Sequence, residues 1–236
     1  MLNDPIPVRE NPDFGFKYDD IEDCGEGLVS LQNLGIICEP YYYNCGIKYA
    51  VNDCLVRESV ADKLVMVIDR LLPSHCTLRV YDGWRPFIVQ QELWEEYRLI
   101  IKNENPSFTD EDVDFFTSMF VDKPSINTSD PFLHSTGGAV DLTVCYRDGS
   151  PLEFGSDYDN FTPKAYSYYF EEKYEEHGYN NVAQYNRRLL YNAMTSVGFT
   201  SLPTEWWHFD YGNRNWAYYT GNVPIYKGIL DTKEGV

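Results

Sequence analysis

The segment HSTGGAVDLTV, residues 134–144, constrains the fold more than any other stretch of the chain. Two glycines lead into a strand-like run in which Ala139, Asp141 and Thr143 share one face and Val140, Leu142 and Val144 the other. Around it lie amphipathic helices and short strands. Residues 58–72 carry Ala61, Leu64, Val65, Ile68 and Leu71 at helical spacing, and a strand is expected at 77–82. A second helix is expected over about 88–102, with Val89, Leu93, Tyr97 and Ile100 in register. A third begins at Thr109, a cap followed by the first-turn acids Asp110, Glu111 and Asp112. A fourth spans roughly 181–197, with a stripe of Val182, Tyr185, Leu189, Ala193 and Val197 and a stop at Gly198. Further strands are expected at 46–52, where Ile47, Tyr49 and Val51 alternate, and in EWWHFDY, 205–211. Helices and strands intersperse without a regular βαβ beat. That pattern predicts an α+β fold, with a mostly antiparallel central sheet and flanking helices. No repeat or linker interrupts the 236 residues, which read as a single domain whose first 45 residues are the least defined.

Composition narrows the function classes. With 43% hydrophobic residues, 20 Tyr and 5 Trp, the chain has enough apolar surface for a sizeable core. Its formal net charge of −18 repels phosphate backbones and anionic lipids, which argues against nucleic-acid or membrane partners. A small zwitterionic ligand is compatible with that charge. The longest apolar run, LVMVI at 64–68, is far too short to cross a bilayer. MLNDPIPVRE at the N-terminus lacks the basic and apolar regions of a secretory signal, so a cytoplasmic protein is expected. Six cysteines without a C-x-x-C pair read as reduced thiols, and Cys145 as a core residue. Oligomeric state stays open, a homodimer included.

The four histidines differ in their company. His177 stands in the charged stretch EEKYEEHGY and reads as a surface residue; His75, in PSHC, reads as a loop residue before a strand. His134 is an odd number of residues from Asp141, so a continuous strand would point the two apart. Gly137 and Gly138 permit a turn that brings the imidazole back beside the carboxylate, and the pair would suit zinc. His208 follows Glu205 by three residues, and Pro203 and Thr204 suggest that Glu205 still lies in a turn entering the strand. A metal hydrolase needs such a third ligand, plus a carboxylate to take a proton from water. In YDGWRPF, 81–87, Arg85 precedes a proline that holds it extended at a strand end, where a guanidinium can stabilise an oxyanion. Each segment taken alone also admits a plainer account: a glycine hairpin, an aromatic strand, a surface arginine.

Taken together and in order, Arg-Pro, H-x6-D and E-x-x-H resemble the zinc D-alanyl-D-alanine dipeptidases of the VanX type. These belong to a wider group of zinc DD-peptidases that share a fold with the Hedgehog signalling domain. The matching segments are YDGWRPF, HSTGGAVDLTV, FGSDYDNF and EWWHFDY, with NRRLLYNAMTSVGF as the helix before the last, from about residue 45 to 212. The resemblance implies one zinc per chain on His134, Asp141 and His208, with Glu205 as base and Arg85 at the oxyanion. Asp159, aligned after a one-residue gap, would hold the substrate's amino terminus. It implies a D,D-dipeptide substrate, most simply D-alanyl-D-alanine. The nearer alternative is a carboxypeptidase or endopeptidase acting on peptidoglycan stem peptides, the further one a non-catalytic zinc-binding domain. Phe132 and Leu133 precede the first histidine where the family commonly has a small polar residue, so pocket shape is where this chain departs from it.

Overall fold

The computed structural model describes residues 2–12, 21–160, 162–172 and 181–230. In chain order its strands are β1 (Leu28–Ser30), β2 (Ile37–Cys38), β3 (Leu55–Arg57), β4 (Cys76–Asp82), β5 (Ala139–Tyr146), β6 (Thr200–Ser201) and β7 (His208–Asp210). Its α-helices are α1 (Tyr41–Asn44), α2 (Glu58–Leu71), α3 (Phe87–Glu104), α4 (Asp110–Ser118), α5 (Tyr169–Glu172), α6 (Asn181–Thr195) and α7 (Arg214–Thr220). One five-stranded sheet has the order β2-β4-β5-β7-β6; only β2 runs parallel to its neighbour, and β1 and β3 form a separate antiparallel pair. The expected α+β architecture with a mostly antiparallel sheet is what forms.

β5 is the spine, and its alternation holds as read. Val140, Leu142 and Val144 join Leu78 and Val80 of β4, Leu64 and Val67 of α2, and Leu190 and Met194 of α6 in the main core. Each such fully buried aliphatic side chain contributes about 1.5–3 kcal/mol, so Leu64→Ala alone should cost about 2–5 kcal/mol. The opposite face of the sheet carries Asp141, which pairs across the ladder with His208, while Ala139 pairs with Asp210. Residues directly opposite share a face, so register alone sets these polar groups together and away from the core.

Thr109 caps α4 as expected, its hydroxyl accepting from the Asp112 N–H while the Asp112 carboxylate accepts from the Thr109 N–H. His75 sits in the turn before β4, and Cys145 is buried. His177 lies outside the described residues. Other expectations shift. Residues 46–52 form turns with Gly46 and Tyr49 at positive φ, and the strand of this region falls at Leu55–Arg57, where β1 offers a partner. EWWHFDY is strand only from His208 to Asp210, because Pro203 to Trp207 turn before the chain reaches β5. The buried stripes of α2 and α6 are rotated from those read: Val65, Val182 and Tyr185 face outward, while Val60, Val67 and Leu190 are buried. In α3 the apolar stripe of Leu93, Tyr97 and Ile100 lines a cavity, and the helix is buried through Val89, Trp94 and Ile101.

Candidate active site

That cavity, of about 300 Å³, lies over the polar face of the sheet and is closed by α3 and the chain leaving α4. His134, Asp141 and His208 meet in it, all buried, each offering one donor atom within 4.8 Å of the others. They arrive by three routes. Asp141 projects from β5, and His208 pairs with it from β7. His134 sits in a single 3-10 turn, Leu133–Thr136, that ends at Gly137 with φ +69. A Cβ at Gly137 would lie 2.6 Å from the Leu28 side chain as well as straining the backbone, so this glycine makes the tight return possible. The turn sets His134 Nε2 3.5 Å from Asp141 Oδ2.

Hydrogen bonds assign the ring nitrogens. His134 Nδ1 lies 2.7 Å from the Gly83 carbonyl, which can only accept, so Nδ1 carries the proton and Nε2 is left as a donor atom towards the cavity. His208 Nε2 lies 3.0 Å from Asp210 Oδ1, and its Nδ1 lies 2.9 Å from Asp141 Oδ1. Asp210 is fully buried and is steadied by the amides of Asn213 and Asn215. Burial opposes charge on His208, yet the carboxylates of Asp210 and Asp141 outweigh it and hold the imidazole well above its usual pKa. Burial likewise acts to neutralise Asp141, and the two histidines overcome it, keeping that carboxyl well below the usual range. Positive charge is therefore favoured where His208 Nδ1 faces Asp141 Oδ1. Two imidazole nitrogens and a carboxylate oxygen, each braced from behind, fit zinc with a coordination position left open.

Glu205 stands in the turn before β7, as expected, with Oε2 3.9 Å from His208 Nδ1. Burial pushes its carboxyl up to about 8; His208 and Arg85 pull it down, while Asp141 and Asp159 add to the rise. Arg85 follows the end of β4, where an irregularity between Val80 and Asp82 brings Asp82 opposite Asp141. Asp82 accepts from Arg85 Nε at 2.8 Å and pairs with Nη2 at 2.7 Å, while Gln90 accepts from Nη1 at 2.7 Å. The Tyr42 ring lies 4.7 Å beneath the guanidinium. Nη2 also donates to Tyr42 Oη at 3.5 Å, so of the five N–H groups of the guanidinium one, on Nη1, remains for the cavity.

Asp159 reaches the same cavity, partly buried and at φ 60. Tyr42 donates to its Oδ1 at 3.4 Å, and burial pushes the carboxyl up to about 6 against the pull of Arg85. Phe132 and Leu133 are buried in the cavity wall. All six sequence-derived site residues therefore converge. Sequence reasoning missed Asp82, Asp210, Tyr42 and Tyr158, the last donating to Asp141 Oδ2 at 2.9 Å. Asp210 was within reach, since two residues beyond His208 on a strand is the same face. Tyr42 left no signal, being 43 residues before Arg85.

Comparison with known proteins agrees with this geometry. The chain is 28% identical over 227 residues to a D-alanyl-D-alanine dipeptidase of Synechocystis, covering 89% of this chain and 92% of that one. It is 27% identical over 157 residues to a D-alanyl-D-alanine dipeptidase of Escherichia coli, covering 66% of each. Among solved structures it is similar to VanYB in complex with D-alanine-D-alanine, at 16% identity, 75% and 87% coverage and a TM-score of 0.43. Residues 44–225 match the peptidase M15 family, described as D-ala-D-ala dipeptidase, and the chain belongs to that family.

Proposed function

We propose that this protein is a zinc dipeptidase that hydrolyses D-alanyl-D-alanine to two D-alanines. The observation that carries the reading is the meeting of the His134, Asp141 and His208 donor set with Glu205, Arg85 and Asp159 in one cavity. His134, Asp141 and His208 would hold one zinc ion per chain, which would supply Lewis acidity for the attacking water and the scissile carbonyl. Glu205 accepts the proton of the attacking water and returns it to the leaving amine. Burial raises its carboxyl above the usual range, which favours a group that takes up a proton and gives it back. Arg85, immobilised by Asp82, Gln90 and Tyr42, offers its positive charge and its remaining N–H to the oxygen on which charge develops.

Asp159 holds the substrate ammonium. A carboxylate kept partly from water gains more from such a partner than a surface one. This is how a free dipeptide is preferred over a longer chain. The unpaired cysteines fit a reducing compartment such as the cytoplasm, and among the described residues no helix is long and apolar enough to cross a membrane.

The test is to incubate the purified protein with free D,D- and L,L-dipeptides and N-acetyl-D-alanyl-D-alanine, with and without chelator, and to follow amine release. Cleavage of free D-alanyl-D-alanine, abolished by chelator and absent for the acetylated form, is expected. Equal cleavage of free and acetylated forms would replace the dipeptidase reading with that of a carboxypeptidase.

A further inference from the structure

Arg187 of α6 is 2% exposed and hydrogen-bonds no carboxylate among the described residues, burial outweighing the support its charge draws from Glu153. Its hydrogen bonds all go to neutral oxygens. Nε donates to the Phe154 carbonyl at 2.8 Å, Nη1 to the Tyr166 carbonyl at 2.7 Å, and Nη2 to the Lys164 carbonyl at 2.6 Å and to Ser156 Oγ at 3.4 Å. The guanidinium also lies 4.7 Å from the Phe170 ring and 5.7 Å from the Trp206 ring. Burying a cation without a hydrogen-bonded counter-ion is costly, and packing alone would be served by an apolar side chain of the same length.

The acceptors show what the cation holds. They hold Phe154 on one side, and Lys164 and Tyr166 on the other, of the stretch that carries Tyr158 and Asp159. Tyr158 donates to Asp141, and Asp159 keeps a left-handed backbone, which a non-glycine residue holds only where its surroundings support it. Ser156 Oγ accepts from Trp206 Nε1 at 3.0 Å, and the Trp206 ring stacks on Phe154 at 4.3 Å. Trp206 directly follows Glu205. One guanidinium therefore joins the loop of Asp159 to the turn of Glu205.

We propose that Arg187 is a positioning residue that sets the spacing between Asp159 and Glu205, so that a dipeptide held by its ammonium presents its amide to the base. The inference rests on the roles given to Asp159 and Glu205 under Proposed function. Lysine cannot substitute, because one ammonium cannot reach acceptors on both sides of this stretch in the way a planar fork of five donors does.

The experiment compares Arg187→Lys, Arg187→Met and Ser156→Ala with the wild-type holoenzyme. Zinc content, thermal melting, kcat and KM for D-alanyl-D-alanine, preference for free over N-acetylated dipeptide, and amide hydrogen exchange of residues 155–160 are all read. Zinc should stay at one per chain, since the loop supplies none of the three donors. KM for the free dipeptide should rise about tenfold or more in the Arg187 variants, with the preference narrowing by a similar factor. Exchange in 155–160 should quicken, with Ser156→Ala between wild type and the Arg187 variants. A lowered melting temperature with unchanged KM and unchanged preference would reduce Arg187 to a structural residue and overturn the proposal. If the Arg187 variants do not fold, Ser156→Ala with unchanged KM and exchange overturns it. Should the wild type cleave no dipeptide, the functional reading fails by itself. Loop exchange in Arg187→Lys then still decides whether the tie exists, and exchange equal to wild type overturns it.

Discussion

The two ends of the cavity are built on opposite principles. At one end His134, Asp141, His208, Glu205 and Arg85 are buried, and partners such as Gly83, Asp210, Asp82 and Gln90 brace them from behind. At the other, Leu93, Tyr97 and Ile100 of α3 face Met119 and Phe120 beyond α4, with Ile100 42% exposed at the rim. Charge and hydrogen bonds tolerate little displacement, so the polar end is fixed by strand register and tight turns. Apolar contact is undirected, so these side chains constrain a ligand chiefly by shape, with Glu96 of α3 and Ser118 the polar groups beside them. The polar end should govern whether chemistry occurs, and the apolar end which side chains are accepted.

The sharpest way to break that division is Glu205→Gln. Turnover should fall by about 10²–10⁴-fold while zinc stays at one per chain by metal analysis, whereas His208→Ala should lose both. Near-full activity in the glutamine variant would remove the base from the mechanism.

A smaller effect is expected one layer out. Asp210→Asn should weaken zinc about 10–100-fold in a chelator competition, because the His208 ring loses the charge that orients it. Unchanged zinc affinity would mean that the bracing contributes little.

Asp159→Ala should raise KM for the free dipeptide about tenfold with little change in kcat. The wild-type carboxyl is pushed up to about 6 by burial, so it is charged above that pH and neutral below it. Wild-type kcat/KM should therefore fall as pH drops through this region, and the alanine variant should lack that limb. A variant with the wild-type profile would assign the limb to another group.

At the apolar end Leu93→Ala should change kcat/KM for D-alanyl-D-alanine by no more than about threefold, the range of substitutions that disturb no packed or polar partner of the small substrate. It should shift relative rates among dipeptides with larger side chains. A hundredfold loss on D-alanyl-D-alanine would erase the contrast between the two ends.

How much was legible beforehand follows the same line. Local rules carried β5, α2 and the capping box at Thr109, because periodicity and capping depend on near neighbours. They failed at 46–52, where apolar alternation was present but no strand lay beside it, and at α3, whose helical stripe was correct as a pattern but faces a cavity. Periodicity says which residues share a face, not what covers it.

Short-range chemistry in the chain supplied two histidines and an aspartate suited to zinc and a glycine turn able to return His134 to Asp141, while their joint role came from the ordered resemblance to the DD-peptidases. Tertiary structure alone decided what stands behind them. It put the Gly83 carbonyl on one imidazole and Asp210 on the other, Tyr42 between Arg85 and Asp159, and Arg187 across the loop of Asp159. Such contacts join residues far apart in the chain. They form only when strand register and helix packing bring separate elements to within hydrogen-bond distance, about 3 Å, which no local pattern encodes.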